Sequence, residues 1–526
     1  AMSPSPPLVP PGDPMSMLDR ARRRSDRDRL AAGETLDVLV VGGGITGAGV
    51  ALDAATRGLR VALVERHDLA FGTSRWSSKL VHGGLRYLAK GDVAVAWESA
   101  VERHLLMCRI APHLVQPLAQ LVPLLDTTSR ADEYLTGAGL RAADALRRAA
   151  GTPASVLPPP RHVGADEAVS LAPTLDSARV RRGWLTHDGR LEDDARLVVA
   201  VARTAAAYGA RVLTRSTCLQ VGAGGAVVHD DLDGGSYEVR ARHVVNATGV
   251  WAGTLDDAVQ VSPSRGTHLV LRAGTLGHPT AALTTAVPGS HSRFVFALPQ
   301  PDGLVYLGLT DVAAPGAVPE VPRATDEEID WLLATASSAL ARPLTRSDVV
   351  GTFAGLRPLL TPAGGSDADD AADVSRRHAV IAHPGGLITV TGGKLTTYRR
   401  MAQDTVDLVT PVACRTRDVA LVGAGPAGAP PAGSRDAVLA RWHRRFGAEA
   451  THLDALAAAD PSLREPVAEG VAVTGAEVRW AVLAEGALDV DDVMERRTRL
   501  SLVPADAARA RAAVAALAGD SRPALV

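Results

Sequence analysis

The chain has 526 residues, of which 46% are hydrophobic and 22% are charged, and its formal net charge at pH 7 is −2. This length and balance predict a globular protein of two or three domains and give no reason to expect a nucleic-acid partner. No uninterrupted apolar run reaches the roughly 18 residues that a membrane-spanning helix needs, and residues 1–14 lack the order of a signal peptide. We therefore expect a cytoplasmic protein with a loose N-terminal tail, and its three widely spaced cysteines predict neither a disulfide framework nor a metal site.

Lysine is rare in this chain, and asparagine is rarer. Only Lys79, Lys90 and Lys394 are lysine among the 56 lysine and arginine residues, and Asn246 is the only asparagine. A strong G+C bias in the coding DNA would replace lysine by arginine and deplete asparagine wherever the protein tolerates the change. Positions that keep these residues are candidates for a chemical requirement, since an ammonium and a guanidinium are not interchangeable at a crowded site.

Residues 1–35 are expected to form a flexible N-terminal extension with one short charged helix. In the stretch 19–30, arginine and aspartate recur at helical spacings, which predicts an exposed helix with ion pairs along it. The interleaved aspartates cancel much of the positive charge and disfavour a nucleic-acid or membrane role for this helix.

A strand, a glycine turn, a helix and a second strand are predicted between residues 38 and 65. The apolar run at 38–41 is typical of a parallel strand buried on both faces. The turn with G-x-G-x-x-G spacing and the start of the helix comprise Gly42, Gly44, Ile45, Thr46 and Gly47. The first glycine permits a tight turn, the second lets backbone N–H groups approach a pyrophosphate, and the third lets the helix pack on the strand. Glu65, which ends the second strand, can accept hydrogen bonds from ribose hydroxyls, so the pattern predicts a dinucleotide site without saying which dinucleotide.

The loop that follows, residues 68–88, is too polar and too rich in glycine for a core element and is predicted to line a ligand. Its hydroxyls, its positive charge and its glycine pair belong to Thr73, Ser74, Ser77, Ser78, Lys79, Gly83 and Gly84. Hydroxyls and an ammonium can donate hydrogen bonds, and glycines let the backbone approach a flat or bulky group. The loop ends in His82, Arg86 and Tyr87, for which ordinary loop packing is the alternative interpretation.

Helices and strands then alternate as far as residue 249. The predicted helices are 93–110, 135–150 and 192–208, and the predicted strands are 211–213, 237–240 and 243–245. A proline-rich break at 152–161 and a turn at 185–191 lie between the second and third helices. The last strand runs into Ala247, Thr248 and Gly249. Because strand C-terminal ends meet the ligand crevice of α/β sheets, this is a second place where backbone can approach a nucleotide.

From residue 264 the pattern changes to short, separated β segments. The stretches 268–271, 293–298 and 304–309 predict an antiparallel sheet that forms a substrate domain, and a helix follows at 326–340. A turn at 355–358 presents Arg357, and a strand at 374–381 presents Arg376, Arg377 and His378. A buried strand at 387–390 then opens into a second glycine turn and a helix, with Gly393, Lys394, Leu395 and Thr396 at the turn.

The remaining residues, 415–526, alternate a linker rich in Gly, Ala and Pro with helices such as 437–446 and 505–517. No chemistry is evident in this segment. A helical cap or a dimerisation module is the plain interpretation.

Seven stretches, taken in order, resemble the FAD-dependent, quinone-linked sn-glycerol-3-phosphate dehydrogenase family: GGGITGAGVALDAATRG, TSRWSSKLVHGGLRYL, NATGVWA, SRGTHLVL, LGLTDV, GLRPL and VTGGKLTTYR. The pair SSKLVHGGLRYL and GGKLTTYR is the most specific, and the resemblance runs from about residue 36 to the C-terminus. It implies an α/β (α+β) fold with a Rossmann-like FAD-binding domain of the glutathione-reductase/D-amino-acid-oxidase type, an antiparallel-sheet substrate domain and a C-terminal helical domain.

The implied FAD-binding domain is discontinuous and comprises 36–90, 185–262 and 350–412. A helical insertion is expected at 91–184, the substrate domain at 263–349 and a C-terminal helical cap domain at 415–526. The glycine turn alone is consistent with NAD or FAD. The loop after Glu65, the 247–249 strand end and the 393–396 turn add three contact regions, which suit a resident, non-covalently bound FAD better than a diffusible nicotinamide.

The resemblance implies that sn-glycerol 3-phosphate is oxidised to dihydroxyacetone phosphate by hydride transfer from C2 to flavin N5, and that a membrane quinone reoxidises the flavin. The base for the C2 hydroxyl is expected to be His268 or His82, with His268 preferred because it falls in the substrate domain. Arg357 could stabilise the developing alkoxide. A phosphate dianion needs several cations that converge on it, and the predicted substrate-binding residues are Arg86, Tyr87, Arg357, Arg376 and Lys394. Arg377 is the alternative to Arg376 as a phosphate ligand.

Three alternatives stay open. An oxidase of the same fold would pass electrons to O2 and release peroxide. A D-amino-acid-type oxidase is disfavoured, because a carboxylate needs one bidentate arginine rather than several cations with a lysine. A non-catalytic flavoprotein that acts as a redox sensor is disfavoured by the presence of His268, Arg357 and Lys394 together. The quinone further implies peripheral contact with the cytoplasmic face of the plasma membrane, and a homodimer is the oligomer considered.

Overall fold

The computed structural model describes residues 9–84, 87–88, 91–288, 290, 293–360, 377–425 and 436–519. Its helices are α1 Arg20–Ala31, α2 Ile45–Thr56, α3 Val93–Leu105, α4 Arg130–Ala149, α5 Ala165–Leu171, α6 Asp194–Ala207, α7 Asp326–Ser337, α8 Tyr398–Val406, α9 Ala437–Phe446, α10 Ala450–Ala459, α11 Gly475–Leu483, α12 Val490–Asp492 and α13 Pro504–Gly519. Two of them continue as π-helical turns, α3 into Leu106–Ile110 and α12 into Val493–Arg497.

The strands of the described chain form two sheets. They are β1 Thr35–Val41, β2 Val61–Val64, β3 Leu80–Val81, β4 Val115–Leu125, β5 Arg161–Gly164, β6 Val180–Leu191, β7 Arg211–Leu213, β8 Ser216–Gly222, β9 Gly225–Asp230, β10 Ser236–Asn246, β11 Val261–Arg272, β12 Ala282–Ala286, β13 Phe294–Pro299, β14 Leu304–Gly308, β15 Val312–Ala313, β16 Val349–Leu360, β17 His378–Ala382 and β18 Leu387–Gly392.

The first sheet has a parallel centre in the order β18-β10-β1-β2-β7. Its central strands are continuous apolar runs because both faces are covered. Helices α2, α6 and α8 pack on one face, and α1 with β9 covers the other. Strands β17, β9 and β8 extend the sheet with antiparallel pairs.

The register of the first sheet brings two predicted turns together. Strands β1 and β10 are parallel, with Val41 opposite Asn246, so both strands end at the same edge of the sheet. The glycine turn after β1 and the segment 247–249 after β10 are therefore neighbours, as expected for strand ends that border a ligand crevice.

The second sheet has the order β15-β11-β14-β13-β12-β4-β6-β3, with β16 also paired to β11 and β5 to β6. Its pairs are antiparallel except for β12 with β4. The predicted antiparallel strands at 268–271, 293–298 and 304–309 are confirmed within β11, β13 and β14. Helices α5 and α7 cover one face of this sheet, while Leu502 and Val503 from the C-terminal segment pack on the other.

Several local predictions are wrong, and they share one physical cause. The expected turn at 185–191 is the second half of β6, the turn at 355–358 lies inside the uninterrupted β16, and the two strands expected between 237 and 245 are one strand, β10. The stretch 91–184, expected to be helical, also contains β4, β5 and the start of β6. Pairing with a partner strand distant in sequence outweighs the turn preference of the local residues.

The N-terminal helix is not the exposed element that its charges predict. Arg23 is buried in α1 and forms an ion pair with Asp230 at 2.8 Å, and Leu30 lies in the core under the first sheet. One face of α1 therefore packs on the protein body while its other charges face solvent.

The C-terminal helices α9 to α13 enclose two apolar clusters of their own and are tied to the first sheet by buried ion pairs. Arg496 and Arg497 both contact Asp68, while Arg196 in α6 contacts Glu485. In the part of the chain that the structure describes, no helix combines the length and apolarity needed to cross a bilayer.

Candidate active site

The glycine turn after β1 leaves no room for side chains at its first and last positions. Gly42 has a φ of +112°, and a Cβ there would lie 2.6 Å from the carbonyl oxygen of Ala247. A Cβ on Gly47 would lie 1.9 Å from the carbonyl oxygen of Gly42. The predicted roles of these two glycines, a tight turn and close packing of helix on strand, are confirmed.

The start of α2 faces the cavity. Gly44 is its N-cap residue and provides no side-chain cap, while the N–H of Ile45 donates to Ser74 Oγ at 2.9 Å. Glu65 lies beside this turn, and its carboxylate accepts hydrogen bonds from the N–H of Gly43 at 2.6 Å and of His67 at 2.8 Å. Burial raises the pKa of Glu65, and these two N–H groups oppose the rise.

One continuous cavity of about 1690 Å³ runs from this turn to the second sheet. Most of the predicted site residues line it: Gly42, Gly44, Ile45, Thr46, Glu65, Thr73, Ser74, Ser77, Ser78, His82, Tyr87, Ala247, Thr248, Gly249, His268, Arg357, Gly393, Lys394, Leu395 and Thr396. Residues from both glycine turns, from the loop and from the second sheet are therefore brought together, although more than 300 residues separate the first from the last.

Four predicted cofactor-binding residues are not among those that line the cavity: Gly47, Lys79, Gly83 and Gly84. The ammonium of Lys79 is buried away from the cavity and bonded to Asp194 Oδ2 at 2.7 Å. A Cβ on Gly83 would meet the guanidinium of Arg103, and one on Gly84 would meet the backbone of α3 at 2.8 Å. The glycine pair therefore serves close packing against α3, which a glycine pattern in the sequence cannot distinguish from close approach to a ligand.

His268 lies on β11 of the second sheet, opposite Phe353 on β16. Its ring is 1% exposed and stacks on Phe353, with the ring centroids 4.6 Å apart. Nε2 lies 2.8 Å from Ser78 Oγ, whereas Nδ1 has no hydrogen-bond partner among the described residues. Burial, aided by the charges of Lys79 and Arg357, holds the pKa of His268 well below its ordinary value, so the imidazole is neutral at pH 7.

Two of the predicted phosphate-binding cations also line the cavity. Arg357 is half-buried on β16 and donates to Asp311 Oδ1 at 3.0 Å and to the carbonyl oxygen of Thr310 at 3.2 Å. Lys394, at the second glycine turn, donates to Ser99 Oγ at 2.6 Å, and its ammonium lies 4.1 Å from the ring centroid of Tyr87. A lysine or arginine held in this way presents positive charge to an anion at a fixed position.

The other predicted substrate ligands divide into three groups. Tyr87 is buried beside the cavity and stacks near His82, with the ring centroids 6.1 Å apart. Arg86 and Arg376 lie outside the described residues. Arg377 is exposed, donates to Asp92 Oδ1 at 3.1 Å and does not line the cavity, so it is not a substitute for Arg376 as a phosphate ligand.

The sequence reasoning missed several residues of this site. Thr284 and Thr310 line the cavity from the second sheet, Trp76 lines it from the loop, and Asp194 anchors that loop from α6. Threonine and aspartate are too common to stand out by residue type, and only the fold brings these to the cavity. Phenylalanine is also rare in this chain, with five residues, and its rarity could have indicated Phe353.

The residues present fit a bound FAD. The turn leaves the N-terminus of α2 open to a pyrophosphate, Glu65 stands where a ribose is expected, and the cavity continues well beyond the length of the adenosine half. Trp76 Nε1, Tyr87 Oη and Thr284 Oγ1 are buried without a hydrogen-bond partner among the described residues.

Comparison with known proteins agrees with this geometry. Residues 37–399 match the family model described as "FAD dependent oxidoreductase", and residues 414–521 match the one described as "C-terminal domain of alpha-glycerophosphate oxidase". The fold and the site are thus those of an FAD-dependent oxidoreductase, and FAD, predicted from the four contact regions, is confirmed as the cofactor.

Two sequence relatives show to which family of FAD-dependent oxidoreductases the chain belongs. Glycerol-3-phosphate dehydrogenase 1 of Mycobacterium tuberculosis is 52% identical over 502 residues, which cover 94% of this chain and 96% of that protein. Aerobic glycerol-3-phosphate dehydrogenase of Bacillus subtilis is 35% identical over 408 residues, or 75% of this chain and 69% of that protein. The chain belongs to the FAD-dependent glycerol-3-phosphate dehydrogenase family, as its sequence motifs indicate.

Solved structures confirm the predicted fold class. The glycerol-3-phosphate dehydrogenase from Bacillus halodurans complexed with FAD matches with a TM-score of 0.71 and 27% identity, over 94% of this chain and 92% of that chain. The L-alpha-glycerophosphate oxidase from Mycoplasma pneumoniae matches with a TM-score of 0.55 over 73% of this chain and 97% of that chain. At 18% identity the second match supports the fold alone.

Proposed function

We propose that this protein oxidises sn-glycerol 3-phosphate to dihydroxyacetone phosphate and passes the electrons from its flavin to a membrane quinone. The observation that carries the proposal is the single cavity in which the FAD-type glycine turn meets His268, Arg357 and Lys394. The relative named glycerol-3-phosphate dehydrogenase 1, 52% identical over nearly the whole chain, supports the same substrate.

His268 is the group proposed to take the proton from the C2 hydroxyl of the substrate. Its imidazole is neutral at pH 7, and a neutral imidazole nitrogen accepts a proton whereas an imidazolium does not. A bound phosphate dianion places negative charge in the same cavity, which raises the pKa of His268 toward the range of an effective base. When bound, FAD accepts the hydride equivalent that leaves C2. His82, which lines the same cavity, is the second candidate for the base.

The phosphate is proposed to bind between Lys394 and Arg357. A dianion is held by charge-assisted hydrogen bonds, and these two side chains approach the cavity from different sheets and are fixed by neighbouring groups. Arg86 and Arg376 remain predicted additional ligands. Arg357, opposite Ser264 in the register of β11 and β16, is also proposed to stabilise negative charge that develops on the C2 oxygen.

The experiment that tests the reaction is an anaerobic titration of the FAD-loaded protein with sn-glycerol 3-phosphate while flavin absorbance is followed. Stoichiometric bleaching is expected, with dihydroxyacetone phosphate recovered in equal amount. Glycerol, which lacks the phosphate, and sn-glycerol 1-phosphate, its mirror image, are matched controls and should leave the flavin oxidised. Unchanged absorbance with sn-glycerol 3-phosphate would favour the non-catalytic redox-sensor alternative.

The acceptor is tested separately, because the C-terminal residues match a family model named for an oxidase. The reduced protein is mixed rapidly with a short-chain quinone or with dissolved O2, and reoxidation and peroxide are measured. Reoxidation by the quinone much faster than by O2, with little peroxide, is expected. The reverse order would assign the oxidase function. Co-sedimentation with anionic lipid vesicles tests the proposed peripheral membrane contact.

A further inference from the structure

Lys79 does not line the cavity, yet it is one of only three lysines in the chain. Its ammonium donates to Asp194 Oδ2 at 2.7 Å, to the carbonyl oxygen of Arg75 at 3.1 Å and to that of Ser77 at 3.2 Å. An ammonium has three N–H donors, so this buried site uses every one of them. A planar guanidinium with five donors does not match such a site, which explains why lysine is kept here.

The same carboxylate organises the backbone around Lys79. Asp194 Oδ2 also accepts from the backbone N–H of Ser77 at 2.9 Å and from its hydroxyl at 2.8 Å. Lys79 has a φ of +58°, a left-handed conformation that is uncommon for a residue with a side chain. Ser78 lies between these two anchored residues, and its hydroxyl is the one that contacts His268 Nε2.

Lys79 is also linked to the His268 ring through Phe353. The Lys79 ammonium lies 5.0 Å from the ring centroid of Phe353, the ring on which His268 stacks at an interplanar angle of 10°. Tyr306 packs edge-on against Phe353 with the ring centroids 5.4 Å apart. The position of the imidazole is thus defined by Ser78 at its Nε2 atom and by Phe353 at its face.

We propose that the buried Lys79–Asp194 ion pair is a positioning element for the proton-accepting His268 and acts on it through Ser78 and Phe353. The proposal rests on the proposed function, in which His268 is the base. Neither Lys79 nor Asp194 lines the cavity, so neither is a catalytic residue.

The charges around this pair support the same role. His268 is faced by Lys79 from the loop and by Arg357 from β16, while Asp193, Asp194 and Arg499 face Lys79. Burial raises the pKa of Asp194, but the charges of Lys79 and Arg499 outweigh it and keep the carboxylate ionised. Burial lowers the pKa of Lys79, and the charge of Asp194, 2.7 Å away, opposes this fall. The charge of Lys79 lowers the pKa of His268, so its removal raises that pKa.

The first test measures His268 directly in the FAD-loaded protein without substrate. Histidine labelled with ¹³C at Cε1 is titrated by NMR, and the His268 resonance is assigned by its loss in His268→Asn. In Lys79→Met the titration midpoint should rise by about one pH unit. The double variant Lys79→Met/Asp194→Asn leaves no buried charge unpaired and should show a smaller rise, because an anion is lost with the cation. The test therefore does not depend on the stability of the single variant.

A matched control removes a different cation from the same cluster. Arg499 lies 4.0 Å from Asp194 and donates to the carbonyl oxygen of Arg75 at 2.6 Å, but it has no contact with Ser78 or Phe353 among the described residues. Arg499→Met should leave the His268 midpoint unchanged. A shift equal to that of the Lys79 variants would show a general charge effect and overturn the positioning role.

The second test is a kinetic cycle between Lys79 and His268. Lys79→Met/Asp194→Asn should lower kcat about tenfold at full flavin content and move the acid limb of kcat/KM to higher pH. The same two substitutions should have no further effect on kcat when they are added to His268→Asn. The proposal would be overturned if the fold losses in kcat from the two sites multiplied in the combined variant and the His268 titration midpoint did not move. Failure of wild-type protein to be reduced by sn-glycerol 3-phosphate would instead refute the proposed function, and the NMR titration would still decide the role of Lys79.

Discussion

Ser78 Oγ lies 2.8 Å from His268 Nε2, so the loop that leaves the dinucleotide turn is hydrogen-bonded to β11 of the second sheet. The two residues are 190 positions apart in the chain. This contact and the pairing of β3 with β6 hold the cofactor side and the substrate side of the cavity in register, and the contact defines several experiments.

Ser78→Ala should lower kcat for sn-glycerol 3-phosphate about fivefold at unchanged flavin content, because a hydrogen bond worth about 1 kcal/mol orients the imidazole. Steady-state kinetics and flavin absorbance measure the two quantities. Ser74→Ala is the matched control, since Ser74 accepts from the N–H of Ile45 at the glycine turn and should affect flavin affinity instead. Equal kinetic losses in both variants would contradict separate roles for the two serines.

His268→Asn should slow flavin reduction by sn-glycerol 3-phosphate by about 10²- to 10⁴-fold, the usual contribution of a general base. The pKa of His268 lies well below 6.5, so the neutral form persists as the pH falls through 6.5. The acid limb of kcat/KM in the wild-type protein should accordingly begin clearly below pH 6.5 and disappear in the variant. A limb centred at or above pH 6.5 would point to a different base, with His82→Asn as the next variant to measure.

Lys394→Ala and Arg357→Ala should each raise KM and lower kcat while flavin stays bound. A charge-assisted hydrogen bond is worth about 1.5–3 kcal/mol, so a loss of roughly 10- to 100-fold in kcat/KM is expected for each. Arg377→Ala removes an exposed arginine that does not line the cavity and should behave as wild type. Wild-type kinetics in both cavity variants would refute the phosphate assignment.

Gly44→Val should release the flavin, because its side chain occupies the space through which the α2 N-terminus approaches a pyrophosphate. A Cβ at this position already lies 3.1 Å from Ser74 Oγ, and the valine methyl groups extend further. Gly164→Ala is a suitable control, since a Cβ there meets nothing within 4 Å. The measurement is the ratio of absorbance at flavin and protein wavelengths, and a fully yellow Gly44 variant would contradict the placement of the cofactor.

Asp68→Asn should lower stability at pH 7 by about 3–5 kcal/mol, because it leaves Arg496 and Arg497 buried with a lost partner. Burial raises the pKa of Asp68, but the charges of Arg497 and Arg496 outweigh it and bring the pKa to about 2. A depressed carboxyl pKa stabilises the folded state above the unfolded value of about 4 and loses that effect as the pH falls to about 2. The difference in thermal midpoint between wild type and variant should therefore shrink between pH 4 and pH 2, and a constant difference would contradict the ion pair.

The sequence alone determined the features that depend on neighbouring residues. The strand at 38–41, the turn at Gly42 to Gly47 and the helix after it follow from local sterics and apolar continuity, and so does the second glycine turn at Gly393. The rarity of lysine also marked Lys79 and Lys394 as chemically required. Motif resemblance then extended these local signals to the cofactor, and most of the site residues predicted from the sequence line the cavity.

Only the tertiary structure decided what Lys79 does and where several strands lie. Its partner Asp194 is 115 positions away, and Phe353 reaches His268 through strand pairing, so no window of sequence contains the interaction. The glycines at 355 and 189 indicate turns locally, yet they lie within β16 and β6 because pairing along whole strands outweighs the preference of single residues. Local propensity is a property of a few neighbouring residues, whereas register and burial are set by contacts between distant ones.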